Sequence, residues 1–476
     1  MPSFNLVTYG CQMNQHDSER IGEVLRDRGY DPATDLADAD VVVVNTCSVR
    51  DKAEQKLLSD LGRLSRLKRR RPSLVVVVAG CVAQQYGDRL TTRVPAVDIV
   101  MGPDNIHDLP ELLRARGLQG RPQVLTRFDL DRPRFLAAHP EPGRQAACAY
   151  VTVMKGCNER CSFCIVPRTR GPERYRGSRQ IIAEIAALVR AGASEVTLLG
   201  QTVNSYIDPD KILVSTGDEE PRWKHTHPTQ AAHDSRQFAA LLREIAQAVP
   251  ELKRLRYTSP HPRHLTGALI RAHADLGVLA RHVHLPVQSG SDRGVRRMIR
   301  RHTVAEYEER VQELRRQVPG LTLSTDIIAG FPGERREDFE QTLSLVERTK
   351  FTGIFAFKYS PRPSTPALAL GDDVDEKEKS ARLAELFSLY ESQRQAHLRS
   401  LVGTRQVVLV EGCGPDGRPT GRTERNEIVH LDTTERLDGQ LVEVTIGRAF
   451  KNSLEGFCLP TLSTAKRPRM LPVVAG

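Results

Sequence analysis

No stretch of this 476-residue chain approaches the roughly 20 consecutive apolar residues that a membrane span requires. Met1-Pro2-Ser3-Phe4-Asn5 has neither a basic n-region nor an apolar h-region, so no export signal and a cytoplasmic protein are expected. There is no Gly-Lys dipeptide, which excludes a Walker A phosphate loop. Neither H-E-x-x-H nor G-x-S-x-G is present, which excludes the zincin helix and the hydrolase nucleophile elbow. Tryptophan is reduced to a single residue, Trp223. Acidic residues are the minority, 59 against 69 basic, a net charge of +10. That surplus suits a polyanionic partner such as nucleic acid, and equally a set of solvated basic faces. Hydrophobic residues at 39% and charged residues at 27% are ordinary for a soluble protein, and the length allows roughly three domains of ~150 residues.

Cysteines are few, nine in all, and a chain without an export signal keeps them reduced, which favours metal binding or catalysis over disulfides. Three stand in one short run, Cys157-Asn-Glu-Arg-Cys161-Ser-Phe163-Cys164, with no fourth close behind. A 4Fe–4S cluster normally takes four thiolates, so three leave one iron open. An open coordination position distinguishes a reactive metal site from a structural one. Such an iron can chelate the amine and carboxylate of S-adenosylmethionine, and one electron then releases a carbon radical able to attack an unactivated C–H bond. The competing reading is a structural zinc site that borrows Cys148 or a histidine. Zinc ligands usually come as two short-spaced pairs, which this run does not provide.

The first 125 residues alternate strand and helix. Ser3–Thr8, Asp40–Val44 and Ser73–Val78 are short and apolar, the pattern of parallel strands buried on both faces, with helices over Ser18–Arg28 and Ala53–Arg69. Each strand runs into a cysteine: Gly10-Cys11, Thr46-Cys47 and Gly80-Cys81. Ligands of parallel α/β sheets bind at strand carboxyl ends, so these three are expected to converge on a second three-thiolate site. The plainer alternative is three inert buried cysteines. Lys68-Arg-Arg-Arg71 is either a nucleic-acid patch or a solvated helix end.

From 144 to about 375 a strand–helix unit recurs six times. The strands are Val151–Met154, Glu195–Leu199, Leu255–Tyr257, His282–Leu285, Thr322–Ile328 and Ile354–Tyr359, each followed by a polar or Gly/Pro-rich tip. Helices are expected over Ile181–Arg190, Arg236–Ala248 and Ala305–Gln317. Functional tips at strand carboxyl ends describe an open six-stranded partial barrel with a wide mouth. Gly200, Gln201, Gln288 and Asp326 lie at or beside those tips, as pocket residues or as ordinary polar turns. Asp208–Ser235 interrupts the repeat with three prolines, His225, His227, His233 and Trp223, and reads as a surface insertion. After residue 401, Thr404–Glu411, Ile428–Leu431 and Gln440–Gly447 look like strands separated by Gly-rich turns, Gly412–Gly417 and Gly421. They fit a small β-barrel of a kind that often binds RNA, with Gly421–Asn426 on a solvent-facing loop. A plain capping or oligomerisation module is the alternative. Cys413 and Cys458 show no ligand spacing.

C-x3-C-x2-C with Phe163 before the last cysteine resembles the radical S-adenosylmethionine superfamily. The wider pattern resembles its methylthiotransferases: Thr8-Tyr-Gly-Cys-Gln-Met-Asn14, Asn45-Thr-Cys-Ser-Val-Arg50, Ala79-Gly-Cys81, Gly156-Cys-Asn158, Ile165-Val-Pro167, Thr169-Arg-Gly-Pro-Glu173, Leu199-Gly-Gln201, Leu285-Pro-Val-Gln-Ser-Gly290 and Asp326–Gly333. Gly421-Arg-Thr-Glu424 is similar to the RNA-binding TRAM domain. Two features depart from the tRNA-modifying pattern: Arg425 stands where Asn is usual, and Asp208–Ser235 is extra.

The resemblance implies an α/β chain of three parts. These are a Rossmann-like domain over 1–125, a radical-type partial barrel over 144–400 with the insertion near 208–235, and a TRAM barrel over 401–470. It implies two 4Fe–4S clusters, one on Cys157, Cys161 and Cys164 that makes a 5′-deoxyadenosyl radical, one on Cys11, Cys47 and Cys81 that holds the sulfur to be methylated. Phe163, Gly200, Gln201, Gln288 and Asp326 would meet S-adenosylmethionine, and Arg422, Arg425 and Lys451 would meet RNA. The expected reaction methylthiolates C2 of N6-isopentenyladenosine in the anticodon loop of tRNA. That C–H is neither acidic nor electrophilic, and the base sits in a single-stranded loop from which it can be splayed. External electron and sulfur donors are implied, and the chain is expected to act as a monomer. The rival substrates are threonylcarbamoyl-adenosine in tRNA and a ribosomal-protein aspartate. The rival of another class is a zinc-containing RNA-binding protein.

Overall fold

The computed structural model describes residues 1–48, 51–131, 133–140, 146–212, 236–414 and 416–458. Most of the expected insertion, with His225, His227, His233 and Trp223, lies outside the described residues, as does 459–470 at the end of the expected C-terminal part. The chain divides into two compact units, Met1–Arg394 and a second that begins at Gln395.

In the first unit a six-stranded sheet is parallel throughout. Its central strands are Ser3–Tyr9, Val41–Thr46 and Val75–Ala79, flanked by Asp31–Pro32 on one side and by Ile99–Met101 and Gln123–Leu125 on the other. Alternation along these strands builds two cores. Val42, Val44, Val76 and Val78 pack with Leu57, Leu61 and Leu64 on one face, and Val41, Val43 and Val77 pack with Ile21, Leu25 and Leu109 on the other. Both faces are therefore covered by helices, which explains the unbroken valine runs. The register pairs Tyr9 with Thr46 and Asn45 with Ala79, so the three central strands end level with one another.

The rest of the unit carries six parallel strands in two sets of three. Cys148–Thr152, Glu195–Leu199 and Arg254–Tyr257 form one set, and His282–His284, Thr322–Ala329 and Gly353–Lys358 the other. A bridge between Leu255 and Leu279 and the bond from Leu255 N–H to Val278 O continue the first set toward the second. Among the described residues the first strand and the last strand do not pair, so the barrel is open at that side. Helices Ser178–Arg190, Arg236–Ala248 and Val304–Gln317 bury apolar stripes against it through Ile181, Ile185, Leu241, Ile245, Val311 and Leu314. No helix among the described residues is long and apolar enough to cross a membrane.

The second unit is a closed five-stranded barrel of Arg405–Cys413, Pro419–Thr423, Ile428–Leu431, Leu441–Ala449 and Leu454–Cys458. Val408, Val410, Val429, Val444, Ile446 and Leu454 fill it.

Three expectations need correction here. Gly421–Thr423 is a strand and not a loop: Thr423 is fully buried, and only Glu424–Asn426 make the turn. A Cβ on Gly421 would collide with the Leu409 carbonyl across the ladder, so a glycine read as a turn signal marks a close strand approach. Gly412 and Cys413 likewise belong to a strand, bulged between Val410 and Gly412. The helix expected over Ser18–Arg28 runs from Gln12 to Arg26, because its polar first turns are buried and not solvated.

Candidate metal centres

Cys11, Cys47 and Cys81 follow the level ends of the three central strands. Cys11 caps the helix Gln12–Arg26, and Cys81 opens the short helix Cys81–Tyr86. Gly80 adopts φ +91°, and a Cβ there would lie 2.8 Å from Thr46 O and 3.1 Å from Asn14 Nδ2. Only glycine lets the third strand turn this close to the second. A buried polar network fixes the approach. Asn14 Nδ2 donates to Asn45 Oδ1 at 3.1 Å, and Asn45 Nδ2 donates to Asn14 O at 2.8 Å and to Ser18 Oγ at 2.9 Å. The Cys47 thiol hydrogen-bonds to Cys11 and, with the nearby Arg170 charge, brings the Cys11 thiol down to about 6 against the cost of burial. Burial pushes the Cys81 thiol up, opposed by Arg170. Arg170 comes from the other part of the unit, donating from Nε to Cys81 Sγ at 3.3 Å and from its terminal nitrogen to Asp17 at 2.6 Å.

Cys157, Cys161 and Cys164 lie between the strand Met154–Lys155 and the helix Val166–Thr169, on the loop after the first barrel strand. Gly156 enters the loop at φ +79°, and a Cβ there would lie 2.5 Å from Gly171 O. Cys157 N–H donates to Gly171 O at 3.1 Å, Cys164 N–H to Cys161 O at 3.0 Å, and Ser162 N–H to Met298 O at 3.0 Å. Thr202 Oγ1 lies 3.0 Å from Cys157 Sγ, and an Arg300 terminal nitrogen donates to Cys161 Sγ at 3.4 Å. Burial and then Cys164 push the Cys157 thiol well above its usual range, and burial with Cys161 pushes Cys164 up to about 12. A thiolate in such a setting needs a compensating positive charge, which the irons of a bound cluster would supply. All six cysteines are free of disulfides. Three free thiols at each trio are the donor type that a three-thiolate 4Fe–4S site uses.

The expected pocket residues divide. Gln201 has both amide atoms buried and unpartnered, the state of a side chain shaped for a ligand. Gln288 sits at φ 73°, a strained non-glycine conformation, with its backbone bridging Asp326 O and Ile328 N–H. Asp326 is partly exposed, 3.5 Å from His284 Nε2. Gly200 packs against Met154, and Phe163 packs on Met298, Phe331, Tyr359 and Ala367, so both have structural work besides any cofactor contact. In the second unit Arg422 Nε lies 3.2 Å from Glu411, and Arg425 donates to Gln406 at 2.6 Å near Glu427. Lys451 is exposed, its carbonyl accepting from Gln395 at 2.7 Å. Lys68 and Arg71 pair with Asp98 and Asp40, which favours the helix-end reading of that basic run.

Sequence reasoning missed Asn14, Asn45, Arg170, Thr202, Arg300 and a buried trio, Glu159, His261 and His264, whose ligand-type atoms lie within 4.8 Å of one another. Arg263 N–H donates to His261 Nδ1 at 3.2 Å, so the proton sits on Nε2, a donor and not a metal ligand. Asn14, Asn45 and Arg170 stood inside stretches already singled out, but nothing local assigns them a role.

Residues 3–102 match the uncharacterized protein family UPF0004, 151–346 the radical SAM superfamily and 399–459 the TRAM domain. The chain is 58% identical to a tRNA-2-methylthio-N(6)-dimethylallyladenosine synthase of Sorangium cellulosum, over 98% of this chain and 96% of that protein. Similar proteins of the same name occur in Acidithiobacillus ferrooxidans, 43% identical over 98% and 99% of the two chains, and in Bordetella petrii, 44% identical over 94% and 89%. Among solved structures, the radical S-adenosylmethionine methyltransferase TsrM from Kitasatospora setae, with cobalamin and a [4Fe-4S] cluster bound, aligns at a TM-score of 0.53. It is 15% identical and covers 77% of each chain, a likeness of fold alone. The chain belongs to the radical S-adenosylmethionine methylthiotransferase family, within the group of tRNA-2-methylthio-N(6)-dimethylallyladenosine synthases.

Proposed function

We propose that this chain replaces the C2 hydrogen of N6-dimethylallyladenosine (the isopentenyladenosine named above) at position 37 of tRNA with a methylthio group. The reaction consumes two molecules of S-adenosylmethionine, one as methyl donor and one as radical source. The observation that carries the reading is the pair of thiol trios, each at strand carboxyl ends, gathered in one compact unit of a chain that also carries a TRAM domain. When bound, a cluster at Cys157, Cys161 and Cys164 supplies the electron for radical formation, and a cluster at Cys11, Cys47 and Cys81 carries sulfur.

The protein's own groups do the rest. Gln201, Gln288 and Asp326 bind and orient S-adenosylmethionine, with Gly200 and Phe163 shaping the wall. His261 presents a neutral Nε2–H, because burial and Arg300 hold its pKa well below the usual range. Arg422, Arg425 and Lys451 meet the RNA backbone. In this reading 1–125 holds the sulfur-carrying centre, 144–400 the radical centre and 401–470 the RNA grip. The protein acts in the cytoplasm as a monomer and draws electrons and sulfur from external donors. Mass spectrometry of tRNA nucleosides from cells lacking the protein tests the substrate: the methylthio nucleoside should vanish and its unmodified dimethylallyl precursor accumulate. An unchanged nucleoside profile would refute the assignment.

A further inference from the structure

Arg170 is almost fully buried, and a buried charge must be paired to be tolerated. Its partners are Asp17, at 2.6 Å, and Cys81 Sγ, at 3.3 Å. Asp17 lies on the helix that Cys11 caps, and is itself buried with His16 Nδ1 at 4.0 Å. The arginine, however, comes from the segment that matches the radical superfamily, whereas the three thiols and Asp17 come from the segment that matches the other family. The second segment thus reaches across and places a positive donor on a sulfur of the first. At the other trio Arg300, from the same segment as its thiols, likewise donates to a sulfur, Cys161 Sγ at 3.4 Å, and its other terminal nitrogen donates to Pro286 O at 2.7 Å. Ile299 and Arg301, on either side of it, both hold left-handed backbone, φ 56° and 55°. A β-branched residue there is strained, and such strain persists only where its surroundings over-determine it.

We infer that Arg170 is a positioning residue for the centre on Cys11, Cys47 and Cys81, and that the buried Arg170–Asp17 pair sets how readily that centre takes up an electron. The inference rests on the cluster assignment made above. Potentials of iron–sulfur centres follow net charge and hydrogen bonds to sulfur. Reduction adds one electron from an external reductant and breaks no bond, so a nearby cation favours the reduced form and a nearby anion opposes it. Removing Arg170 takes away the cation and leaves Asp17 uncompensated. Removing the Asp17 charge leaves Arg170 unopposed. The two changes should act in opposite directions, which a merely structural role would not produce.

The test uses the full chain with Cys157, Cys161 and Cys164 changed to Ala, reconstituted anaerobically and titrated with dithionite under electron paramagnetic resonance. Arg170→Met should shift the reduction equilibrium at least tenfold toward the oxidised form, 59 mV for one electron, and Asp17→Asn a comparable amount toward the reduced form. Arg170→Lys should fall between Arg170→Met and the parent. Asp17→Asn is isosteric and keeps the test alive if Arg170→Met fails to fold. Midpoints that do not move, or that move in the same direction in both variants, overturn the inference while leaving the cluster assignment intact. A parent that binds no iron overturns both.

Discussion

Gln201 is the side chain whose state most calls for a ligand, since burying an amide without partners costs about 1–3 kcal/mol per unsatisfied group. Its change to Ala should weaken S-adenosylmethionine binding roughly five- to tenfold, the worth of about one net hydrogen bond, with iron content unchanged. Equilibrium binding to the reconstituted protein measures this, and unaltered affinity would remove Gln201 from the pocket. The cysteines make a sharper case. Anaerobic reconstitution should give about eight irons per chain, and replacing Cys157, Cys161 and Cys164 with Ala should leave about four. A triple variant that keeps all its iron, or a parent that takes zinc in its place, contradicts the two-centre reading. At this scale the sequence was legible where spacing carries chemistry, as in Cys157–Cys164. It was silent on Arg170, whose partners are 153 and 89 positions away in the chain. No local pattern announces an interaction of that span.

Elements were legible where burial is one-sided or total. Glu195–Leu199, Arg236–Ala248 and Ile428–Leu431 have the bounds their apolar patterns indicate. Ile99–Met101 and Gln123–Leu125 escaped because three residues carry no measurable period. Pro419–Thr423 escaped because Pro, Gly and Arg read as a turn, whereas barrel closure forces them into a ladder. The loop that bears the second trio depends on one glycine. Gly156→Ala adds a Cβ 2.5 Å from Gly171 O at a φ of +79°, where L-residues are strained. A loss of roughly 1–3 kcal/mol, the scale of one strained residue, should appear as a lower melting temperature and as iron missing from that centre. Wild-type melting and full iron in Gly156→Ala would show that the loop tolerates the displacement.

Across the whole molecule, the proposed function assigns the chemistry and the RNA grip to different units. The second unit is a small barrel that carries Arg422 on a strand and Arg425 on the turn after it, and the whole chain's net charge of +10 suits an anionic partner. Changing Arg422, Arg425 and Lys451 to Ala should weaken tRNA binding and flatten its salt dependence, by a slope of about 0.7–0.9 for each phosphate no longer neutralised. Iron content should not move. Unchanged tRNA affinity after deleting 401–476 would refute an RNA role for this unit. If the two trios perform separate tasks in one reaction, Cys47→Ala should separate those tasks. The variant, reconstituted and given S-adenosylmethionine, reductant and tRNA bearing N6-dimethylallyladenosine, is assayed in one sample for 5′-deoxyadenosine and for the methylthiolated nucleoside. 5′-Deoxyadenosine should still form while the methylthiolated nucleoside is lost. Methylthiolated product at the wild-type rate would contradict the division of labour between the trios.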